Sequence, residues 1–148
     1  MYIEVLSAAE AKLKVPKVKH IAISIGTSEN IELPKNDNRI AELFLLFDDF
    51  DTNEYSDTEL TELYSRHKVH LFNDEMAKSV LEFVISHPCG VLLVNCEAGI
   101  SRSAGVAAAI GKVFNRDDTF VFNSGRYVPN MLVYSKILRQ ANLMELLK

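Results

Sequence analysis

Val91-Leu92-Leu93-Val94-Asn95-Cys96-Glu97-Ala98-Gly99-Ile100-Ser101-Arg102-Ser103-Ala104-Gly105-Val106 is the stretch on which the fold turns. Its first four residues form a short, uninterrupted apolar run, the mark of a strand covered on both faces. From Ser103 to Gly111 there is no charge and Ala and Gly dominate, so a helix there is apolar nearly all round and packs centrally. A buried strand feeding a buried helix indicates an α/β layered fold, with a single central β-sheet flanked by helices. Ligands in such folds sit at the carboxyl ends of the strands. Two turns compete for that role, one after Asn95 and one after Phe47.

Outward from this centre the pattern is consistent. From Asp74 to Ser86, Met76, Ala77, Val80, Leu81, Val84 and Ile85 form one helical stripe opposite Glu75, Lys78, Ser79 and Glu82, and Pro88-Cys89-Gly90 breaks it. Tyr2–Leu6 reads as a short strand. Ser7-Ala8-Ala9-Glu10 is a capping box opening a short helix that Pro16 stops. His20–Ile25 alternates, with Ile21, Ile23 and Ile25 on one face and Ala22 and Ser24 on the other. Ile40–Phe47, apolar except for Glu42, resembles an interior strand. Ser56 to His67 reads as a short capped helix in an acidic loop. A last helix, about Pro129 to Leu147, buries Tyr134, Ile137, Leu138, Ala141 and Met144. No repeat or linker divides the chain, so residues 1–148 read as a single domain.

Sixteen basic against twenty acidic residues give a net charge of −4 and a pI near 5.6. That balance argues against a nucleic-acid partner and leaves room for a local anion pocket. The longest uncharged apolar stretches, Val91–Val94 and Ala104–Ile110, are too short to cross a bilayer, so no membrane partner is expected. Met1-Tyr2-Ile3-Glu4 has no signal-peptide pattern, and two cysteines make no disulfide framework. The expected location is cytoplasmic. Cys89 stands seven strand residues from Cys96, roughly 20 Å, so no local redox pair is expected unless the chain doubles back.

The loop after Asn95 carries the chemistry. The first turn of a helix leaves N–H groups unpaired and the macrodipole adds partial positive charge, so the junction suits an anion. Gly99 supplies a point of positive φ at which the loop curls and turns the amides of Glu97, Ala98, Gly99, Ile100 and Ser101 inward. Arg102 grips two phosphate oxygens with its planar fork. Cys96 then lies at the floor of a positive bowl that favours the thiolate. Ser103 donates to the sulfur and eases its later departure. An inert buried thiol is the bland alternative, and the company of Gly99, Arg102 and Ser103 argues against it.

The run Cys96-x5-Arg102-Ser103, with Gly99 in its middle, resembles the phosphate-binding signature of the protein tyrosine phosphatase superfamily. Ordinary residue frequencies yield such a match in roughly one chain in a thousand with two cysteines. The chain length and the phrases Leu46-Phe47-Asp48-Asp49 and Tyr127-Val128-Pro129-Asn130 are similar to the compact dual-specificity branch, most closely its short prokaryotic and phage-type members. The resemblance implies a phosphatase-type strand–loop–helix active site, a phosphocysteine intermediate, and no cofactor or metal. It also implies an aspartic acid, on a loop after an earlier strand, that protonates the leaving oxygen. Asp49 matches best, Asp51 is second and Asp48 third. The family has His immediately before the cysteine; here it is Asn95, which hydrogen-bonds but carries no charge. Asp51, Asn95 and Asn130 are candidate rim residues, and Arg126 also borders the pocket in this reading. Asp49 and Cys96 lie 47 positions apart, more than in compact relatives, so Phe50–His67 reads as an insertion. It either carries Tyr55 or Tyr64 to the rim or is a plain surface helix.

The expected activity is hydrolysis of phosphomonoesters in proteins, phosphotyrosine favoured, with dual specificity towards phosphoserine and phosphothreonine as the extension. Residues 97–101 contain no lysine, and Glu97 disfavours heavily phosphorylated ligands; a free phosphate or sulfate ion fits the bowl. The alternative from another class is a catalytically silent phosphate- or phosphotyrosine-binding module. A rhodanese- or arsenate-type thiol enzyme is a third reading. The strand ending in Asp49-Phe50-Asp51 echoes a magnesium phosphatase of the haloacid-dehalogenase type, whose motif wants Thr or Val where Asn53 stands. A calcium loop from Asp49 fails, because Glu54 and Leu60 occupy the Gly and Glu positions. His67 and His70 lack a third ligand and read as surface histidines.

Overall fold

The computed structural model describes residues 1–51, 55–66 and 70–147, without the side chains of Tyr64 and Arg66. The expected helix end at His67 lies outside these residues. Four strands, β1 (Tyr2–Ser7), β2 (His20–Gly26), β3 (Arg39–Leu46) and β4 (Val91–Cys96), form one parallel sheet in the order β1-β4-β2-β3. The most apolar strands, β2 and β4, take the two central places, where both faces are covered. Register sets Ser7 beside Cys96 and Ser24 beside Asn95.

The α1 helix (Ala8–Leu13) opens on the expected capping box: Ser7 Oγ accepts the Glu10 N–H and the Glu10 carboxylate accepts the Ser7 N–H. It packs on β1 and β4 from one side. The α2 helix (Asp57–Arg66) follows β3. The α3 helix (Asp74–Ser86), capped by Asn73, runs over the span expected. The α4 helix (Arg102–Ile110) is buried at every position and continues as a π-helical turn through Gly111–Asn115. The short α5 (Thr119–Phe122) precedes α6 (Met131–Leu143), which packs against both α3 and α4. Ile21, Ile23, Ile25, Leu92 and Val94 meet these helices in the main core; Leu6, Ala11 and Leu93 form a smaller cluster across the sheet.

Three expectations are corrected. The Ile40–Phe47 run forms an edge strand, not an interior one. Leu45 and Phe47 are buried, while Ile40, Phe44 and Leu46 are exposed, because α1 covers that face of the sheet only over β1 and β4, three and two strands away. On α3, Phe83 is buried beside Val84 and Ile85 is exposed, so the end of the stripe turns from Ile85 towards Phe83. The last helix is shorter than Pro129 to Leu147: Asn130 is its N-cap, and left-handed Glu145 lies just past its end. Among the described residues no helix is long and apolar enough to cross a membrane.

Tyr134 ties α6 to the turn before α5. Its hydroxyl donates to Asp118 Oδ2 at 2.6 Å, and its ring meets Phe122 edge-on. Burial first, then the Asp118 carboxylate, pushes its ionisation up to about 12. A raised phenol stabilises the fold fully below pH ~10, and that contribution disappears as pH rises from ~10 through ~12. We expect phenolate absorbance to show one of the five tyrosines ionising late, with stability falling over that window and Tyr134→Phe removing both effects. Five tyrosines titrating together would refute this.

Candidate active site

Beyond Cys96 the chain turns back into α4, and its carbonyls are fastened outward. Glu97 O accepts the Ala8 N–H at 3.1 Å, Ile100 O the Val128 N–H at 3.0 Å, and Ser101 O the Asn130 N–H at 3.0 Å. Gly99 has φ +70°, and a Cβ there would lie 2.5 Å from Ser7 N and 2.7 Å from Leu6 C. Only glycine fits both the angle and the approach. With the carbonyls committed outward, the amides of Ala98, Ile100 and Ser101 have no acceptor among the described residues, and all three residues line a cavity of about 480 Å³.

Cys96 is on the floor of that cavity, 2% exposed. Its Sγ receives the Gly99 N–H at 3.3 Å and lies 3.0 Å from Ser103 Oγ. Arg102 is also buried. One guanidinium nitrogen, Nη1, donates to Phe47 O at 2.8 Å and Thr27 Oγ1 at 3.0 Å. Its Nε and Nη2 have no partner among the described residues, so one edge of the fork is held and the other is open to a ligand.

The three candidate acids separate. Asp49 lines the cavity, with Oδ1 accepting from Ser101 Oγ at 2.8 Å and Asn130 Nδ2 at 3.0 Å, while Oδ2 has no partner among the described residues. Asp51 accepts the Met131 N–H at 2.9 Å, at the start of α6. Asp48 accepts the His70 N–H at 2.6 Å and lines an adjoining concavity of about 440 Å³ with Thr27, Ser28, Leu46 and His70.

Two rim expectations are corrected. Asn95 is buried on the far face of the sheet, where it accepts from Ser24 Oγ at 2.7 Å; alternation along β4 turns it away from Cys96. Asn130 is buried too. It caps α6 through its Oδ1 and holds Asp49 and Phe50 O with its Nδ2. Glu97 and Ile100 are exposed at the mouth. Arg126 pairs with Glu10 at 3.5 Å and covers the Tyr127 ring. Hydrogen bonds from Ser7, then the nearby Arg126 charge, hold the Glu10 carboxyl below the usual range. Tyr55 stacks on Phe50 at 4.7 Å, while the Tyr64 side chain and His67 lie outside the described residues. Thr27 was not legible beforehand. Its only signal is its place just after Gly26, at the carboxyl end of β2.

No family model matches the chain, and no curated protein matches its sequence. Solved structures do match. A mouse structure described as a dual specificity phosphatase complexed with zinc tungstate is 19% identical, covering 95% of this chain and 84% of its own, with a TM-score of 0.53. Human DUSP28 is 18% identical over 97% of this chain and 93% of its own, with a TM-score of 0.50. A point variant of that human protein gives 0.54 at the same identity, covering 97% and 91%. The chain has the dual-specificity phosphatase fold. Within it, the Cys96 loop occupies the junction between the inner strand β4 and the inner helix α4.

Two glycines at the same backbone angle separate strain from crowding. Gly125 has φ +71° with nothing within 4 Å of an added Cβ. Gly125→Ala should therefore cost only the left-handed conformation, about 1–2 kcal/mol. Gly99→Ala should cost clearly more in denaturant titrations, because the methyl group strikes the β1 backbone. Equal losses would show that the loop is not pressed against β1.

Proposed function

We propose that the chain is a cysteine-dependent phosphomonoester hydrolase acting on phosphorylated proteins, with phosphotyrosine favoured. The observation that carries this reading is the convergence on one cavity of a sulfur receiving an amide N–H, a guanidinium with one edge open and a carboxylate with one oxygen unclaimed among the described residues.

In the proposed reaction the Cys96 thiolate attacks phosphorus in line, the S–P bond forms and the bond to the leaving oxygen breaks. Asp49 gives its proton to that oxygen. The loop amides and the open edge of Arg102 take up charge on the equatorial oxygens. Water then attacks phosphorus, Asp49 accepts its proton, the S–P bond breaks, and phosphate leaves with the thiolate restored. Ser103, 3.0 Å from Sγ, stabilises the sulfur as it departs. Holding Asp49 by Oδ1 alone suits this cycle, since Oδ2 remains available to carry the proton.

Protein substrates are favoured for two reasons. The loop carries Glu97 and no lysine, which disfavours multiply phosphorylated small molecules. The concavity sharing Thr27 with the cavity offers room for residues flanking the phosphorylated one.

The deciding experiment compares phosphate release from phosphotyrosine and phosphoserine peptides, with Cys96→Ser as the blank. Turnover should favour phosphotyrosine. Cys96→Ser and Arg102→Lys should each remove nearly all turnover, whereas chelators should leave it intact. Asp49→Asn should lower kcat by about 10²–10⁴-fold and flatten the basic limb of its pH profile; an unchanged profile would transfer the role to Asp51. Tight peptide binding without release would replace the enzyme reading with that of a silent phosphotyrosine-binding module.

A further inference from the structure

The segment Lys12-Leu13-Lys14-Val15-Pro16-Lys17-Val18-Lys19 joins α1 to β2 and interleaves lysine with apolar residues. It holds four of the chain's sixteen basic residues, and no acid occurs between Glu10 and Glu29, although the whole chain carries −4. All four lysines are exposed, and Leu13, Val15 and Val18 are 84%, 69% and 56% exposed. A single apolar side chain in water is ordinary. Three together, set among like charges, mark an interaction surface.

The backbone of this ridge is held in place. Lys14 N–H donates to Glu10 O at 2.9 Å, and Pro16 O accepts from the Asn36 and Asn38 side-chain amides at 3.2 and 3.3 Å. Lys19 O receives the Cys89 thiol at 3.4 Å, and His20, the next residue, is buried. Lys14 pairs with Glu4 at 3.0 Å, whereas Lys12, Lys17 and Lys19 have no ion-pair partner among the described residues. One exposed acid, Asp37, lies between the two asparagines, and Lys35 stands beside them to offset it. Tyr2, 63% exposed, shares a face of β1 with Glu4 and adds an aromatic ring on the side of Lys14.

We propose that this ridge docks the protein on an anionic lipid surface, with the lysines at the charged headgroups and Leu13, Val15 and Val18 entering the acyl boundary. Charge complementarity selects a negative partner. Three apolar tips standing proud select a soft one, because an acidic protein would have to offer each of them a matching hollow. A ridge already fixed by its backbone hydrogen bonds loses little freedom on binding. The expectation of no membrane partner followed from spanning length alone, which a surface contact does not need. His20 opens β2 and Cys96 closes β4, so the cavity at Cys96 lies at the opposite end of the parallel sheet, away from the lipid. The docking is independent of whether the chain turns over phosphoesters.

The test is co-sedimentation of the full chain with vesicles of phosphatidylserine and phosphatidylcholine mixed, against phosphatidylcholine alone. The wild-type protein should sediment with the mixed vesicles only, and less as salt is added. Lys17→Glu with Lys19→Glu should weaken binding by about 30-fold, the scale of two lysines at a charged bilayer. The same change of net charge on the other face of the sheet, Lys78→Glu with Arg139→Glu, should leave it nearly unchanged. Leu13→Ser, Val15→Ser and Val18→Ser together, with every lysine kept, should weaken it by at least about tenfold. No sedimentation at low salt, equal binding to the neutral vesicles, or equal losses from the two charge-reversed pairs would overturn the proposal. Unchanged binding in the serine variant, or binding to soluble polyglutamate as tight as to the vesicles, would replace the lipid with an acidic protein. If a variant does not fold, the wild-type comparison of vesicles, salt and polyglutamate still decides. An absence of phosphate release would count against the proposed function alone.

Discussion

The backbone of residues 97–101 cannot satisfy itself, and the way it is satisfied from outside shapes everything around it. Three of its carbonyls are claimed by amides from the start of α1 and from the segment leading into α6. That outward commitment is possible because Gly99 lies flat against the end of β1, at an angle and distance closed to any side chain. Once the carbonyls face out, the amides of Ala98, Ile100 and Ser101 are left without acceptors among the described residues. A wall of unpaired amides is thus a by-product of how the loop is tied down.

Arg102 extends the same logic to the neighbouring strands. Its Nη1 reaches the residue just beyond β2 and the carbonyl just beyond β3, so one guanidinium spans two adjacent strand ends. Asp49 follows Phe47 by two residues and is held in turn by Ser101, the residue before Arg102. Cation and acid are therefore placed relative to one another by a closed circuit of hydrogen bonds, completed by Asn130 at the cap of α6. Displacing any one member displaces the others, which makes the geometry cooperative.

The parts of this arrangement that the sequence exposed are those whose signal is local. The β4–loop–α4 unit was legible because an apolar strand, a glycine and an uncharged helix follow one another without a gap. The span of α3 and the capping box at Ser7 were legible for the same reason. The exposure of β3 was not, because Ile40, Phe44 and Leu46 look like core residues, and only strand order reveals that they lie at an edge. Thr27 and Ser24 were invisible, since their partners lie 75 and 71 positions away. Asn95 is a different case. Its neighbour Cys96 faces the cavity, and period-two alternation alone sends Asn95 to the opposite side.

The stitching of the loop also governs when it can exist. Its anchors come from residues 8, 128 and 130, and the strands beside it are not sequential neighbours. Contacts of such long range form late, after the loops between them have been closed. A nascent or partly unravelled chain therefore lacks the Gly99 N–H contact on the Cys96 sulfur, which arises only with completion of the native architecture.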